Sequence, residues 1–245
     1  MPLSVSASPL CLLCRLSWRC SSSWGAKMRS MAEKRVYLVR HGETASNRSL
    51  RHQARSTPLD ARGVRQAALT AHALAALPID SIITSGATRT QQTALPLLEA
   101  VHCPVVNNPF FEELRRPSVA VGKKYLDPRA LWAVVRVYLH AIGVRAKHSD
   151  EETVSEFRQR AADAIALLAS DPAKHLVVFS HRLFISGALA IISGSAEGST
   201  TAFLRAAFRF GRIPNGSITE LSYNSARATP WHIERFADTR HLSDA

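Results

Sequence analysis

From residue 34 onward the hydrophobic pattern switches repeatedly between a strand period and a helix period. Arg35–Val39 (RVYLV) is a short β-rich run that stops at a polar cluster, the pattern of a strand. Gly63–Leu77 spaces its apolar residues as a helix does and ends at Pro78. Ser81–Thr84 predicts another strand, Thr88–Ala100 a helix that Pro96 should kink or start later, and Val105–Val106 a weak strand. Asp127 and Pro128 read as an N-cap followed by proline at the first helical position, with Gly143 as the C-cap. Thr153 and Glu156 have capping-box spacing, and Phe157, Ala161, Ile165 and Leu168 then share one helical face. His175–Ser180 (HLVVFS) is nearly all apolar, as a strand buried on both faces is. A helix over Leu183–Ile192 and two last strands, Ser217–Tyr223 and Trp231–Phe236, complete the pattern. Alternation without a repeat predicts an α/β fold, a three-layer αβα sandwich with a mainly parallel sheet.

Residues 1–30 break this pattern. They carry Arg15, Arg19, Lys27 and Arg29, many serines, and no acidic residue before Glu33. That bias fits an organellar transit peptide; a secretory signal fits less well, because Leu10–Leu13 has no charged leader and no clear cleavage site. A third reading starts translation at Met28 or Met31. All three set the segment apart as a disordered leader and leave residues 31–245 as the domain. A cytoplasmic location is expected, or an organelle if the leader is a transit peptide. Cys11, Cys14 and Cys20 fall in the leader, and Cys103 alone lies in the body, where no disulfide framework can form. The Cys11–Cys14 spacing has no second pair or matching histidine and reads as coincidence.

Composition narrows the partners. The chain has 245 residues, 46% hydrophobic and 20% charged, as an ordinary globular protein does. No apolar stretch approaches the ~20 residues that cross a bilayer, so no membrane association is expected. A formal charge of +12 suits nucleic acid, an anionic surface or a small anionic substrate focused into a cleft. No motif interleaves aromatic and basic residues, which argues against nucleic acid.

The candidate chemistry collects where strands end, the place at which open α/β sheets bind ligands. Arg40 and His41 follow the first strand, and His181 and Arg182 follow the long buried one. A single histidine at a strand end is usually structural, but two at equivalent places, with Arg40 and Arg89 near similar edges, suggest a shared anion site.

These residues carry a resemblance. Val36-Tyr-Leu-Val-Arg-His-Gly-Glu-Thr44 with Asn47 resembles the signature of the histidine phosphatase superfamily, the phosphoglycerate-mutase-like fold family. Leu59–Ala67 resembles the segment opening its first helix, Ile83–Ala94 its second-arginine motif, and Val177–His181 its second-histidine motif. Ile213–Ile218 and Thr239–Leu242 resemble its C-terminal features.

The resemblance implies a phosphoryl-transfer enzyme, a phosphomonoesterase working through a phosphohistidine on His41. A phosphoglycerate mutase and an inactive binding protein of the same fold are the alternatives. Arg40 and Arg89 would grip phosphate oxygens, and a protonated His181 would stabilise transition-state charge. Glu113, with Glu112 as runner-up, would protonate the leaving group. Asn47 would either touch phosphate or order its loop. Arg182 departs from the glycine usual after the second histidine, and would either add an anion contact at a helix N-terminus or crowd the pocket. Arg51, His52 and Arg55 read as solvated surface or as the pocket mouth. Arg115, Arg116, Lys123 and Lys124 read as a solvated face or as recruiters of polyanions. No metal and no cofactor are expected, since cationic side chains supply the positive charge. The expected partner is a small phosphorylated substrate or a phosphoprotein.

Overall fold

In the computed structural model, residues 33–141, 150–194 and 199–243 are described; the leader and the expected Gly143 cap lie outside them. The chain order is β1 (Lys34–Arg40), α1 (Ala45–Arg48), α2 (Ala61–Ala75), β2 (Ser81–Thr84), α3 (Thr88–Ala100) and β3 (Val105–Asn107). Then follow α4 (Pro128–Ala141), α5 (Val154–Ser170), β4 (His175–Ser180), α6 (Arg182–Ile192), α7 (Thr200–Arg209), β5 (Ile218–Tyr223) and β6 (Trp231–Asp238).

The six strands form one sheet in the order β3-β2-β4-β1-β5-β6. The four strands from β3 to β1 are parallel, and β5 and β6 join antiparallel at one edge, so the sheet is mixed with a parallel majority. Side-chain alternation divides the core in two. Val36, Leu38, Leu176 and Val178 face α5, α6 and α7, whose Phe157, Phe184 and Phe203 fill that layer. Tyr37, Val39, Val177 and Phe179 face α2 and α3, against Leu74 and Leu97. A strand with both faces buried has little room for polar positions, which is why Leu176–Phe179 in β4 is apolar throughout.

Local signals explain most boundaries. Asp60 caps α2 by accepting from the Gly63 N–H at 2.9 Å, so the helix begins two residues before the apolar periodicity does. Thr153 and Glu156 form the reciprocal capping box. Asp127 Oδ1 accepts from the N–H groups of Arg129 and Ala130 at the start of α4. Pro96 lies inside α3 and does not delay its start, which stays at Thr88. The carbonyl that loses its partner belongs to Gln92, which is exposed and can turn to water. Lys34 is buried at the entry to β1, its Nζ donating to the carbonyls of Leu168 and Ala169 at the end of α5 and of Asp171 just beyond it. Tyr223 pairs with Lys34, so the Asn224–Pro230 turn sits at the opposite end of the sheet from Arg40.

Candidate active site

Register brings the two histidines together. Arg40 and Ser180 are partners across the parallel β1–β4 ladder, so His41 and His181 are the next residues out of the sheet on neighbouring strands. Their ring centroids lie 5.3 Å apart. Both are buried, at 3% and 1% exposure.

His41 Nδ1 lies 2.7 Å from its neighbour's carbonyl, Gly42 O, which can only accept, so the proton sits on Nδ1 and Nε2 keeps its lone pair. Burial first, then the charges of Arg89 and Arg40, hold its pKa well below the usual histidine value. The loop that carries it is packed backbone to backbone. A Cβ at Gly42 would stand 2.5 Å from Gly63 O, and one at Gly63 would stand 2.0 Å from Glu43 O. No side chain fits at either place, so the glycine after the histidine allows α2 to close on the loop. On the other side, Gly216 (φ 73°) donates to Arg40 O at 3.0 Å, and Asn215 Nδ2 donates to His41 O at 3.0 Å and Gly42 O at 3.2 Å.

His181 is wired in one direction. Arg89 Nη2 donates to its Nδ1 (3.1 Å), which leaves the proton on Nε2 to be donated to Ser85 Oγ (2.8 Å). Thr90 Oγ1 donates to Ala87 O at 2.7 Å, so Ser85 Oγ–H donates to Thr90 at 3.0 Å. His181 is thus neutral in this arrangement, not protonated as expected, and burial followed by Arg89, His41 and Arg40 keeps its pKa well below the ordinary value. A phosphoryl dianion entering beside it favours the charged form again.

Arg40 and Arg89 complete the floor. Arg40 Nη1 donates to Ile213 O at 2.6 Å and Arg89 Nη1 to Ala54 O at 2.9 Å, while the Nε–H of each is buried without a partner. Burial, then the neighbouring Arg182, lowers the Arg40 pKa to about 10, and burial lowers that of Arg89. Donors held this way are ready for phosphate oxygens.

Glu112 and Glu113 both line the same cavity, of ≈ 610 Å³, but point to different partners. Glu113 receives the N–H groups of Leu183 and Phe184 in the first turn of α6, at 3.3 and 3.2 Å. Glu112 Oε1 lies 2.8 Å from Arg55 Nη1. Arg160 staples this segment. It binds the buried Glu152 with two nitrogens at 2.7 Å, and donates to the carbonyls of Phe110 and Glu112 at 2.7 and 2.9 Å. Ser180 Oγ adds a 2.6 Å bond to Phe111 O.

Asn47 lines the cavity while ordering its own loop. Its Oδ1 accepts from Thr44 N and Oγ1, its N–H donates to Thr44 Oγ1, and Asn215 donates to the same Oδ1. Arg182 opens α6 and lines the cavity, exposed. His52 is buried at 5% exposure and lines the cavity with the half-buried Arg116 and the exposed Arg55 and Arg115. Arg51 instead donates to Gly122 O at 2.8 Å, and neither it nor Lys123 or Lys124 reaches the cavity. Ser85, Arg160 and Asn215 escaped the sequence reading; Ser85 and Asn215 lay inside quoted motif segments, but nothing in the pattern gave them a bond. Among the described residues no group of three or more His, Cys, Asp or Glu side chains is placed to hold a metal, and no helix is long and apolar enough to cross a membrane.

Comparison with known proteins matches this geometry. Residues 36–239 fit the family model described as histidine phosphatase superfamily (branch 1). The chain is 30% identical over 216 residues to a Serratia proteamaculans protein named probable phosphoglycerate mutase GpmB, covering 84% of this chain and 94% of that one. A protein of the same name from Yersinia enterocolitica is 32% identical over 211 residues, again covering 84% and 94%. Among solved structures, the alpha-ribazole phosphatase of Shigella flexneri superposes with a TM-score of 0.67 at 22% identity, covering 83% of this chain and 96% of that one.

Proposed function

The chain belongs to the histidine phosphatase superfamily, and from that premise we propose that it hydrolyses the phosphate monoester of a small metabolite through a phosphohistidine. One observation carries the reading: the Gly42 carbonyl fixes the His41 proton on Nδ1, so the Nε2 lone pair is free at the floor of a cavity flanked by bare Arg40 and Arg89 donors.

Nε2 attacks phosphorus in line as the ester P–O bond breaks, and the departing alkoxide takes a proton from Glu113. Glu112, whose Oε1 lies 2.8 Å from Arg55 Nη1, is the runner-up for the acid. The Nδ1–H bond to Gly42 O stabilises the positive charge that develops on the ring. Water then attacks phosphorus, giving its proton to the same carboxylate, and the N–P bond breaks to restore neutral His41. Arg40, Arg89 and His181 hold the equatorial oxygens, where the transition-state charge gathers. These cations do the work a metal would do, so activity should resist chelation.

The test is hydrolysis of an aryl phosphate with EDTA present, comparing wild type with His41→Ala. Chelation-resistant activity that disappears in the variant is the expected result; full activity in His41→Ala would overturn the reading. The names of the bacterial relatives favour a second reading, a mutase on phosphoglycerate. Phosphorus NMR separates the two, because a mutase interconverts 2- and 3-phosphoglycerate faster than it releases inorganic phosphate.

A further inference from the structure

The free lone pair of His41 depends on a single peptide group. The Gly42 carbonyl holds the ring proton on Nδ1, and that carbonyl shares its plane with the N–H of Glu43. In a trans peptide the two bonds point in opposite directions, so a group that fixes the N–H also aims the oxygen. The Glu43 N–H donates to Gln66 Oε1 at 2.8 Å. A backbone N–H can only donate, which turns the Gln66 amide with its oxygen toward the loop.

Gln66 reaches this place because of how α2 packs. It lies one turn after Gly63, whose missing side chain lets the helix close on Glu43 O, so both residues face the loop. Its side chain is buried, and a Cβ at Gly216 would stand 3.2 Å from its own Cβ, so it is wedged against the second segment that braces His41. The preceding peptide has a different partner: the Gly42 N–H donates to Thr93 Oγ1 at 3.0 Å, which donates to Arg89 O at 2.6 Å. Thr93 therefore places the loop, whereas Gln66 bonds the very peptide that faces Nδ1. A buried N–H needs a partner for stability in any case. Direction adds something beyond that. As Nε2 attacks phosphorus the ring becomes positive, the Nδ1–H bond to Gly42 O strengthens, and the polarised peptide presses its N–H harder onto Gln66. The chain from His41 Nδ1–H through Gly42 O and Glu43 N–H to Gln66 Oε1 tightens most in the transition state.

We propose that Gln66 is a positioning residue for His41: acting through the Gly42–Glu43 peptide, it keeps the ring proton on Nδ1 and stabilises the charge the ring gains as the N–P bond forms. The proposal rests on the phosphomonoesterase reading in taking Nε2 as the nucleophile, but the tautomer itself can be observed with no substrate present.

Two substitutions in the full chain separate this role from packing alone. Gln66→Met keeps the length of the side chain and removes the acceptor, while Gln66→Glu keeps an acceptor oxygen in either protonation state. Nitrogen NMR of the His41 ring, identified by difference against His41→Ala, reports the tautomer. Wild type and Gln66→Glu should carry the proton on Nδ1, and Gln66→Met should show a mixture of the two tautomers. On an aryl phosphate, Gln66→Met should lower kcat about tenfold with KM changed by less than about twofold, and Gln66→Glu should recover most of that loss. A wild-type ring protonated on Nε2 would overturn the proposal whether or not the methionine variant folds. Unchanged ring signals and kcat in Gln66→Met, or equal losses of kcat in both variants, would overturn it as well. A wild type with the proton on Nδ1 and no hydrolysis sinks the phosphomonoesterase reading instead and leaves the tautomer result standing, so the two claims fail separately.

Discussion

The floor and the wall of the cavity are built on opposite plans. On the floor, Arg40 ends β1, His41 and His181 follow β1 and β4, Arg89 lies in the first turn of α3, and bonds dictate where the histidine protons lie. On the wall, His52, Arg115 and Arg116 stand on connecting segments; the His52 ring is buried without a polar partner, Arg116 is half-buried and Arg115 exposed. The floor holds its donors in fixed directions, whereas the wall holds its charged groups only at the cavity's edge. That is the division expected when a rigid scaffold fixes the chemistry and loops set the choice of substrate.

Substitutions can break this contrast. His41→Ala should lower kcat on an aryl phosphate by more than about 10⁴-fold, because the lone pair of His181, the other imidazole on the floor, is taken by Arg89. Arg160→Met comes next. It strands the buried Glu152 and releases the carbonyls of Phe110 and Glu112, so thermal or urea unfolding should show a loss of about 3–5 kcal/mol. In the folded fraction, kcat should fall more than KM rises, since the carboxylic acid is displaced and the anion grip is not.

Acid should destabilise the fold through the buried histidines of both floor and wall. His41 and His181 have folded pKa values well below 6.5, and His52 about 4, against about 6.5 unfolded. Below pH 6.5 the unfolded chain therefore binds protons that the folded chain refuses. Stability should be flat above about pH 7 and fall as pH drops through 6 and 5, by up to about 1.4 kcal/mol per pH unit for each such histidine. Chemical denaturation at several pH values reads that slope, and His52→Phe should remove the share of one of the three histidines.

Two smaller effects sharpen the comparison. Ser85→Ala removes the acceptor that fixes the His181 tautomer, so kcat should fall by roughly tenfold with the pH–rate profile displaced, a change that lost packing alone would not produce. Arg55→Gln cuts a wall ion pair whose arginine is 64% exposed. Its effect on stability should stay below about 0.5 kcal/mol.

Legibility in the sequence follows the same line between floor and wall. The strand ends could be read because β1 and β4 are short, apolar and stop abruptly, and parallel pairing then makes His41 and His181 neighbours without further information. The Thr153 capping box and the Asp127 cap are local chemistry, visible within four residues. Helix α7 went unseen although Phe203, Leu204, Ala206 and Ala207 share one apolar face, because its Thr-Thr start and the glycines and serines before it read as a loop. The state of His181 could not be read either, since it depends on Arg89 and Ser85, both nearly a hundred residues away. His52 looked like loop surface until the strand-like bonds to residues 122 and 123 folded it inward. Non-local bonds leave no periodicity behind.

Because β5 runs back along β1, its turn to β6 emerges at the far pole of the sheet, with Ala228 exposed there. A single attachment point at Ala228 would therefore present every immobilised molecule with its cavity facing the solution. Capture on a sensor surface, or fusion to a second protein through that turn, should leave ligand access as it is in the free chain.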